Sequence, residues 1–148
     1  MLELLFRKLE DKIMNAKLNL KQTLFAGLLA GITAAAINAA LFVIFHSAGI
    51  ISDNIYPQPG QPLTIVPVIT ASVFPLLIGS FIFYLFERFT GSGFKIFAVI
   101  ALVLMTLSLV SPFLMIPNVT PGYSLVLCLM HVVAALSLLY FIRRAKQG

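Results

Sequence analysis

Four long apolar stretches constrain this chain more than any other feature of its sequence. They run over Thr23–His46, Val66–Phe86, Ile96–Ile116 and Tyr123–Ile142, and none of them contains Asp, Glu, Lys or Arg. A helix needs about 20 consecutive apolar residues to cross the hydrocarbon core of a bilayer. Each stretch is long enough, so the sequence predicts an all-α fold, a four-helix transmembrane bundle.

The overall composition excludes most soluble classes of protein. Only 10% of the residues are charged and 60% are hydrophobic, whereas a soluble domain has about 25% charged residues. The single cysteine, Cys128, lies inside the fourth stretch and cannot form an internal disulfide. We interpret it as a small packing residue.

The basic residues predict the orientation of the chain in the membrane. They are Arg7, Lys8, Lys12, Lys17, Lys21, Arg88, Lys95, Arg143, Arg144 and Lys146. In a four-span topology all of them fall on one side. Because Lys and Arg are retained on the cytoplasmic side, we expect both termini to be cytoplasmic. The net charge of +5 then reflects topology, and no nucleic-acid partner is expected.

The residues before the first stretch form a separate segment. Within residues 1–22, apolar side chains recur at helical spacing: Leu5, Phe6, Leu9, Ile13 and Met14. Charged residues fill the positions between them, which is typical of a short amphipathic helix lying on the cytoplasmic membrane surface. The alternative is a solvated leader. Residues 23–148 form the four-span membrane domain.

Small residues indicate where the helices pack. Gly27, Gly31 and Ala35 lie four residues apart in the first stretch, and Gly79 lies in the second. Small side chains let helix backbones approach closely in a membrane. Asn38 lies on nearly the same face as Ala35, at membrane depth, where its amide needs a partner. It either bonds to a neighbouring helix or contributes to a polar ligand site.

Prolines predict irregular backbone in two places. Pro75 is inside the second stretch, where it should kink the helix and free a carbonyl group. The first connection, residues 47–65, contains Pro57, Pro59 and Pro62 but also several isoleucines. We expect this connection to fold back over the end of the bundle.

Two histidines are the most suggestive candidates for chemistry. His46 closes the first stretch and His131 lies in the outer half of the fourth. If the two helices are neighbours, the imidazoles could hold a haem, bind a quinone, or relay protons with Asp53. The alternative is one interfacial and one core histidine without a ligand. A pocket built from the polar groups at depth would contain Asn38, His46, Thr70, Ser108, Ser111 and His131.

No motif indicates catalysis. The sequence has no GxSxG or HExxH motif and no paired carboxylates within a span, so it offers neither an activated nucleophile nor a metal site. We therefore expect a protein that is not an enzyme, without a cofactor or metal.

Three segments carry a resemblance to a known group of proteins. They are AGLLAGITAAAINAALF (26–42), QPLTIVPVI (61–69) and PFLMIPNVTPGYSL (112–125). The chain resembles small, uncharacterised, four-span bacterial membrane proteins, classified as a domain of unknown function. The resemblance implies four helices in a bacterial cytoplasmic membrane and implies no activity.

Three hypotheses for function remain. The leading one is a non-enzymatic protein that acts through helix–helix association, as a homo-oligomer or with a membrane-protein partner, using the face of Gly27, Gly31 and Ala35. The alternative is an outward-open carrier or binder of a neutral small molecule, a quinone or haem, using His46 and His131. A transporter or channel would be limited to neutral substrates, because no charged residue lies within a span.

Overall fold

The first helix begins at an N-terminal cap encoded in the sequence. The computed structural model describes residues 1, 3–4 and 17–147, so most of the segment 1–22 that was predicted as an amphipathic helix, including Leu5, Phe6, Leu9, Ile13 and Met14, lies outside the described residues. Helix α1 spans Leu20–Ser47. The Asn19 side chain accepts from the Gln22 backbone N–H at 2.9 Å, and the Gln22 side chain accepts from the Asn19 N–H at 3.0 Å. This reciprocal pair satisfies two N–H groups that a helix start leaves without partners.

Four further helices follow. Helix α2 spans Ile65–Phe89, α3 spans Gly93–Ser108, α4 spans Ser111–Leu114 and α5 spans Pro121–Gln147. The predicted third stretch is thus broken after Ser108. Pro112 explains the break, since it has no N–H to donate to the Ser108 carbonyl and its ring would clash with that group.

The all-helical prediction with four spans is confirmed for the described residues. Four helical segments are long and apolar enough to cross a membrane: α1, α2, α3 together with α4, and α5. Apolar side chains that would face lipid cover the outside of the bundle, including Phe25, Phe74, Ile78, Val103 and Leu107. In a soluble protein such a surface would aggregate; in a bilayer it is the expected surface.

The helices pack around α2 and α5. Helix α1 contacts both of these helices on one side, and α3 contacts both on the other side. We call the end where α1 and α3 begin and α2 and α5 end the basic end, and the opposite end the loop end. One apolar cluster near the basic end is centred on Phe83 and Ile142, and a second, near the loop end, on Phe42 and Tyr123.

The small face of α1 lies against α2 within the chain. Gly27, Gly31 and Ala35 are all buried. A Cβ added to Gly31 would lie 3.2 Å from the Val73 Cα, and one added to Gly27 would overlap the Ser80 side chain. Gly79 also lies in a helix contact, because its added Cβ would lie 2.9 Å from Leu138 Cδ2. The four small residues therefore pack helices inside one chain.

The connection between α1 and α2 folds back over the loop end, as expected. Ile51 and Ile55 are 2% and 6% exposed and pack in the cluster with Phe42 and Tyr123. An apolar loop thus covers the end of the bundle, and part of the same loop lines the cavity described below.

The basic end contains a buried ion pair. Glu87 and Lys146 lie beyond the second and fourth apolar stretches of the sequence, but α2 and α5 include them, and each residue is 4% exposed. The Lys146 ammonium donates to Glu87 Oε1. Gly93 packs directly against Glu87, with its added Cβ only 2.6 Å from the Glu87 Cα. The pair therefore connects α2 to α5 next to the start of α3.

Candidate functional site

A polar cluster joins three helices at membrane depth. Asn38 Nδ2 donates to Ser72 Oγ at 2.9 Å and to the Met130 carbonyl at 3.2 Å. Ser72 in turn donates to the Val68 carbonyl at 2.8 Å. Asn38 and Ser72 are each 3% exposed. The predicted bond from Asn38 to a neighbouring helix is confirmed, and it links α1 to both α2 and α5.

The same amide leaves one acceptor without a partner. Asn38 Oδ1 is buried and has no hydrogen-bond donor among the described residues. Its orientation follows from the Met130 carbonyl: only the NH₂ group can donate to it, so the oxygen must point elsewhere. An unsatisfied buried polar atom costs about 1–3 kcal/mol. A bound molecule with an N–H or O–H group would remove that cost.

A cavity of about 470 Å³ has Asn38 among its lining residues. We call it the polar cavity; its lining includes Asn38, Gln58, Thr70, Ala71, Ser72, Pro75, Met130 and His131. Thr70 and His131 are exposed, so the cavity opens to the surroundings of the bundle. Its volume lies within the range of small-molecule pockets, about 300–1,000 Å³.

His131 presents a second acceptor to the cavity. Its Nδ1 lies 2.7 Å from the Leu127 carbonyl of the preceding helical turn. A carbonyl oxygen only accepts, so Nδ1 carries the proton and Nε2 of the neutral imidazole is left as an acceptor. Asn38 and His131 each have one side-chain acceptor without a partner among the described residues, and both residues line the polar cavity.

Pro75 adds a backbone acceptor to the same lining. Proline has no N–H, so the carbonyl four residues earlier, that of Ala71, loses its helical donor. Ala71 and Pro75 both line the polar cavity. The Thr70 hydroxyl donates to the carbonyls of Val66 and Pro67, at 3.0 Å and 3.2 Å. Thr70 can thus offer its oxygen to the cavity only as an acceptor.

The structure does not bring all the predicted pocket residues together. Asn38, Thr70 and His131 line the polar cavity, and Ser108 lines a second cavity that also includes His131. Ser111 lies in α4, within 3.4 Å of Met115 Sδ.

His46 lies apart from the polar cavity. Its Nε2 is 3.0 Å from Asp53 Oδ1, and its ring stacks on Phe42 at 5.3 Å. His46 is eight residues beyond Asn38, or about 12 Å along α1 at 1.5 Å per residue. The part of the chain that the structure describes contains no group of three or more His, Cys, Asp or Glu side chains that could hold a metal ion.

Sequence reasoning did not identify some residues that the structure places in polar positions. Gln58, from the loop after α1, lines the polar cavity. The Tyr123 hydroxyl is buried without a partner among the described residues. Loop folding places Gln58, and no local signal marks it. Tyr123 could have been noticed as a hydroxyl within an apolar span.

Comparison with known proteins identifies a family without a known activity. Neither the search of curated proteins nor the search of solved structures finds a match. A family model described as a family of unknown function, DUF6069, matches residues 19–148. The match begins at the Asn19 cap and covers all four apolar helical segments, and the chain belongs to this family of unknown function.

Proposed function

We propose that this chain is a non-enzymatic, multi-pass protein of the bacterial cytoplasmic membrane that binds a neutral small molecule in the polar cavity. The molecule carries hydrogen-bond donors, in the form of hydroxyl or N–H groups. The observation that carries the proposal is that Asn38, whose buried Oδ1 has no partner among the described residues, lines the same cavity as His131.

We infer that the ligand is uncharged from the residues that line the polar cavity. No Lys, Arg, Asp or Glu lines the cavity among the described residues. A charged ligand at membrane depth would need a counter-charge. A neutral hydroxylated molecule needs only acceptors, which Asn38, His131 and Ala71 provide. A quinol fits this requirement better than a quinone, because a quinone offers only acceptors.

Two of the earlier hypotheses are less favoured by this geometry. Helix–helix association was assigned to the face of Gly27, Gly31 and Ala35, which is buried inside the chain, so a homo-oligomer or a protein partner would need a different face. Ligation of haem by two histidines needs both rings on one iron, whereas His46 pairs with Asp53 and does not line the polar cavity.

The orientation in the membrane is part of the proposal. Arg88, Lys95, Arg143 and Arg144 lie at the ends of α2 and α5 and at the start of α3, all at the basic end. The positive-inside rule places this end in the cytoplasm. The polar cavity, which includes Gln58 from the loop end, then opens in the outer half of the bilayer.

Photolabelling with a neutral, hydroxylated lipid tests the binding site. The probe is a 1-monoacylglycerol carrying a diazirine on an acyl carbon next to the ester, added to the protein in lipid nanodiscs. We expect labelled peptides around Phe74, Leu127 and Met130, as identified by mass spectrometry. Replacing both probe hydroxyls by methyl ethers should reduce labelling by about two- to tenfold, because this is the change in affinity that corresponds to the loss of one hydrogen bond.

A matched pair of variants provides the control on the protein side. His131→Phe keeps an aromatic ring and removes the Nε2 acceptor, so labelling should fall by a similar factor. His46→Phe alters the histidine outside the cavity and should leave labelling unchanged. Equal labelling by the hydroxylated and methylated probes, or labelling spread over all lipid-facing helices, would contradict the proposal.

A further inference from the structure

A second cavity adjoins the polar cavity along the contact between α2 and α5. It has a volume of about 420 Å³, and we call it the apolar cavity. Pro75 and His131 line both cavities. From these shared residues the lining continues toward the basic end, through Ile78 and Ile82 on α2 and through Ala135 and Leu138 on α5.

The spacing of these residues places the two cavities next to each other along one face of α5, and together we call them the crevice. On α5 the lining passes from Leu127 and His131 in the polar cavity to Ala135 and Leu138 in the apolar cavity. Residues three or four apart lie on the same helix face, so the same face of α5 lines both cavities. The apolar part covers about 10 Å of helix length, at 1.5 Å for each residue from His131 to Leu138.

The two parts differ in chemistry. Asn38, Gln58, Thr70 and Ser72 line the polar cavity. In the apolar cavity the polar side chains of the lining are His131 and Ser108. The Ser108 hydroxyl donates to the Met105 carbonyl of its own helix at 2.7 Å, so its donor is already used. An occupant of this part therefore meets mainly aliphatic and aromatic groups.

We infer that the ligand is a single-chain neutral amphiphile, with its hydroxylated headgroup in the polar cavity and its hydrocarbon chain in the apolar cavity. This inference rests on the proposed function and names the class of molecule that the site binds. The chain passes between Pro75 and His131 and continues along α2 and α5, where Ala101 and Leu104 of α3 form the opposite wall.

The walls of the crevice give the ligand a route from the bilayer. Phe74 is 63% exposed, and Ile78 and Leu104 are each 60% exposed, so both cavities open where lipid surrounds the bundle. A diacyl phospholipid is a poor occupant, because none of the described residues lining either cavity is Lys or Arg. A phosphate headgroup would lack the cations that usually hold it.

The experiment maps where each end of a lipid probe contacts the protein. Two 1-octanoylglycerol probes are used in nanodiscs with the full chain, one with a diazirine next to the ester and one with a diazirine at the chain terminus. We expect the first to label Phe74 and Met130. The second should label Ile82, Phe97 and Leu138, which line the apolar cavity.

A filled apolar cavity provides the matched test. Ala101→Phe places a ring in the apolar cavity, and labelling by the terminal diazirine at Ile82 and Leu138 should fall about tenfold. Labelling by the ester-proximal diazirine should persist, which also shows that the variant is folded. Leu102→Phe, on the same helix but outside the lining, should label as the wild type does. If Ala101→Phe fails to fold, Leu104→Trp is the second filling variant.

The possible outcomes separate the two proposals. Ester-proximal labelling in the polar cavity, combined with terminal labelling spread over the outer surface of the bundle, overturns the inferred path of the chain and leaves the proposed function standing. Loss of specific labelling by both probes overturns both proposals. Terminal labelling that is confined to the apolar cavity and sensitive to Ala101→Phe supports the inference.

Discussion

Helices α1 and α3 both contact the pair α2 and α5. They differ in burial, because α1 buries much more of its surface than α3 does. Nine of the 28 residues of α1 are buried, most of them Gly, Ala or Thr. Only Gly93 and Phe97 of the 16 residues of α3 are buried. Along most of its length α3 exposes large aliphatic side chains instead, such as Val103 at 53% and Leu107 at 63% exposed.

The difference shows how side-chain size determines helix contact in a membrane. Lipid is as apolar as leucine, so large side chains gain little by leaving it, and helices associate mainly where backbones can approach closely. Gly27 and Gly31 allow such an approach between α1 and α2. Helix α3 has a comparable contact only at Gly93, and the apolar cavity opens beside the remainder of it.

The largest effect should come from the ion pair that holds α2 and α5 together between these two flanks. Lys146→Met leaves the buried Glu87 carboxylate without its main counter-charge, and the loss of one partner of a buried pair costs about 3–5 kcal/mol. The free energy of unfolding, measured by steric trapping in bicelles, should fall by that amount.

A double variant separates charge from packing in that result. Glu87→Gln combined with Lys146→Met removes both charges, so the double variant should be more stable than Lys146→Met alone. A single variant as stable as the wild type would show that the α2–α5 contact does not depend on the pair.

A smaller decrease in the free energy of unfolding is expected when a small residue in the close contact between α1 and α2 is replaced by a larger one. In Gly31→Leu the new side chain meets the backbone of α2, since the Val73 Cα is 3.2 Å from the position of the Cβ. Overpacking of this kind costs about 1–3 kcal/mol. The same unfolding assay measures it, and Ala36→Leu on the exposed face of α1 is the matched control. Equal stability of the two variants would contradict the proposed role of the small face.

The smallest change in the free energy of unfolding is expected from substitutions on the exposed face of α3. Val103→Ala and Leu107→Ala should each change the free energy of unfolding by less than about 0.5 kcal/mol, as surface substitutions usually do. A loss well above that value in either variant would mean that α3 has a partner in the membrane and would remove the contrast with α1.

The number and approximate length of the helices could be predicted from the sequence, whereas their ends could not. Apolar composition over about 20 residues is sufficient to predict a span. The apolar stretches end at Phe86 and Ile142, whereas α2 and α5 extend to Phe89 and Gln147 and include Glu87 and Lys146. Two charges can be buried at a helix end when each supplies the partner of the other, and a single stretch of sequence does not contain that information.

The candidate site was predictable only in part. Asn38 was expected to bond to a neighbouring helix because an amide at membrane depth must be satisfied. Its partners, Ser72 and the Met130 carbonyl, depend on how the helices are aligned along one another. His131 lines the polar cavity, whereas His46, which was grouped with it in the predicted pocket, lies against Asp53.

By itself, the sequence determined that this is an all-helical chain with four potential spans, with its basic residues before the first, between the second and third and after the fourth apolar stretch, and with few polar groups inside these stretches. These properties depend on composition and on distance along the chain, which the sequence states directly. Only the tertiary structure decided which polar groups meet, that Asn38 Oδ1 has no partner among the described residues, and that two cavities share Pro75 and His131. The reason is that contacts between helices depend on their rotation and relative height, which are determined by packing along the whole bundle.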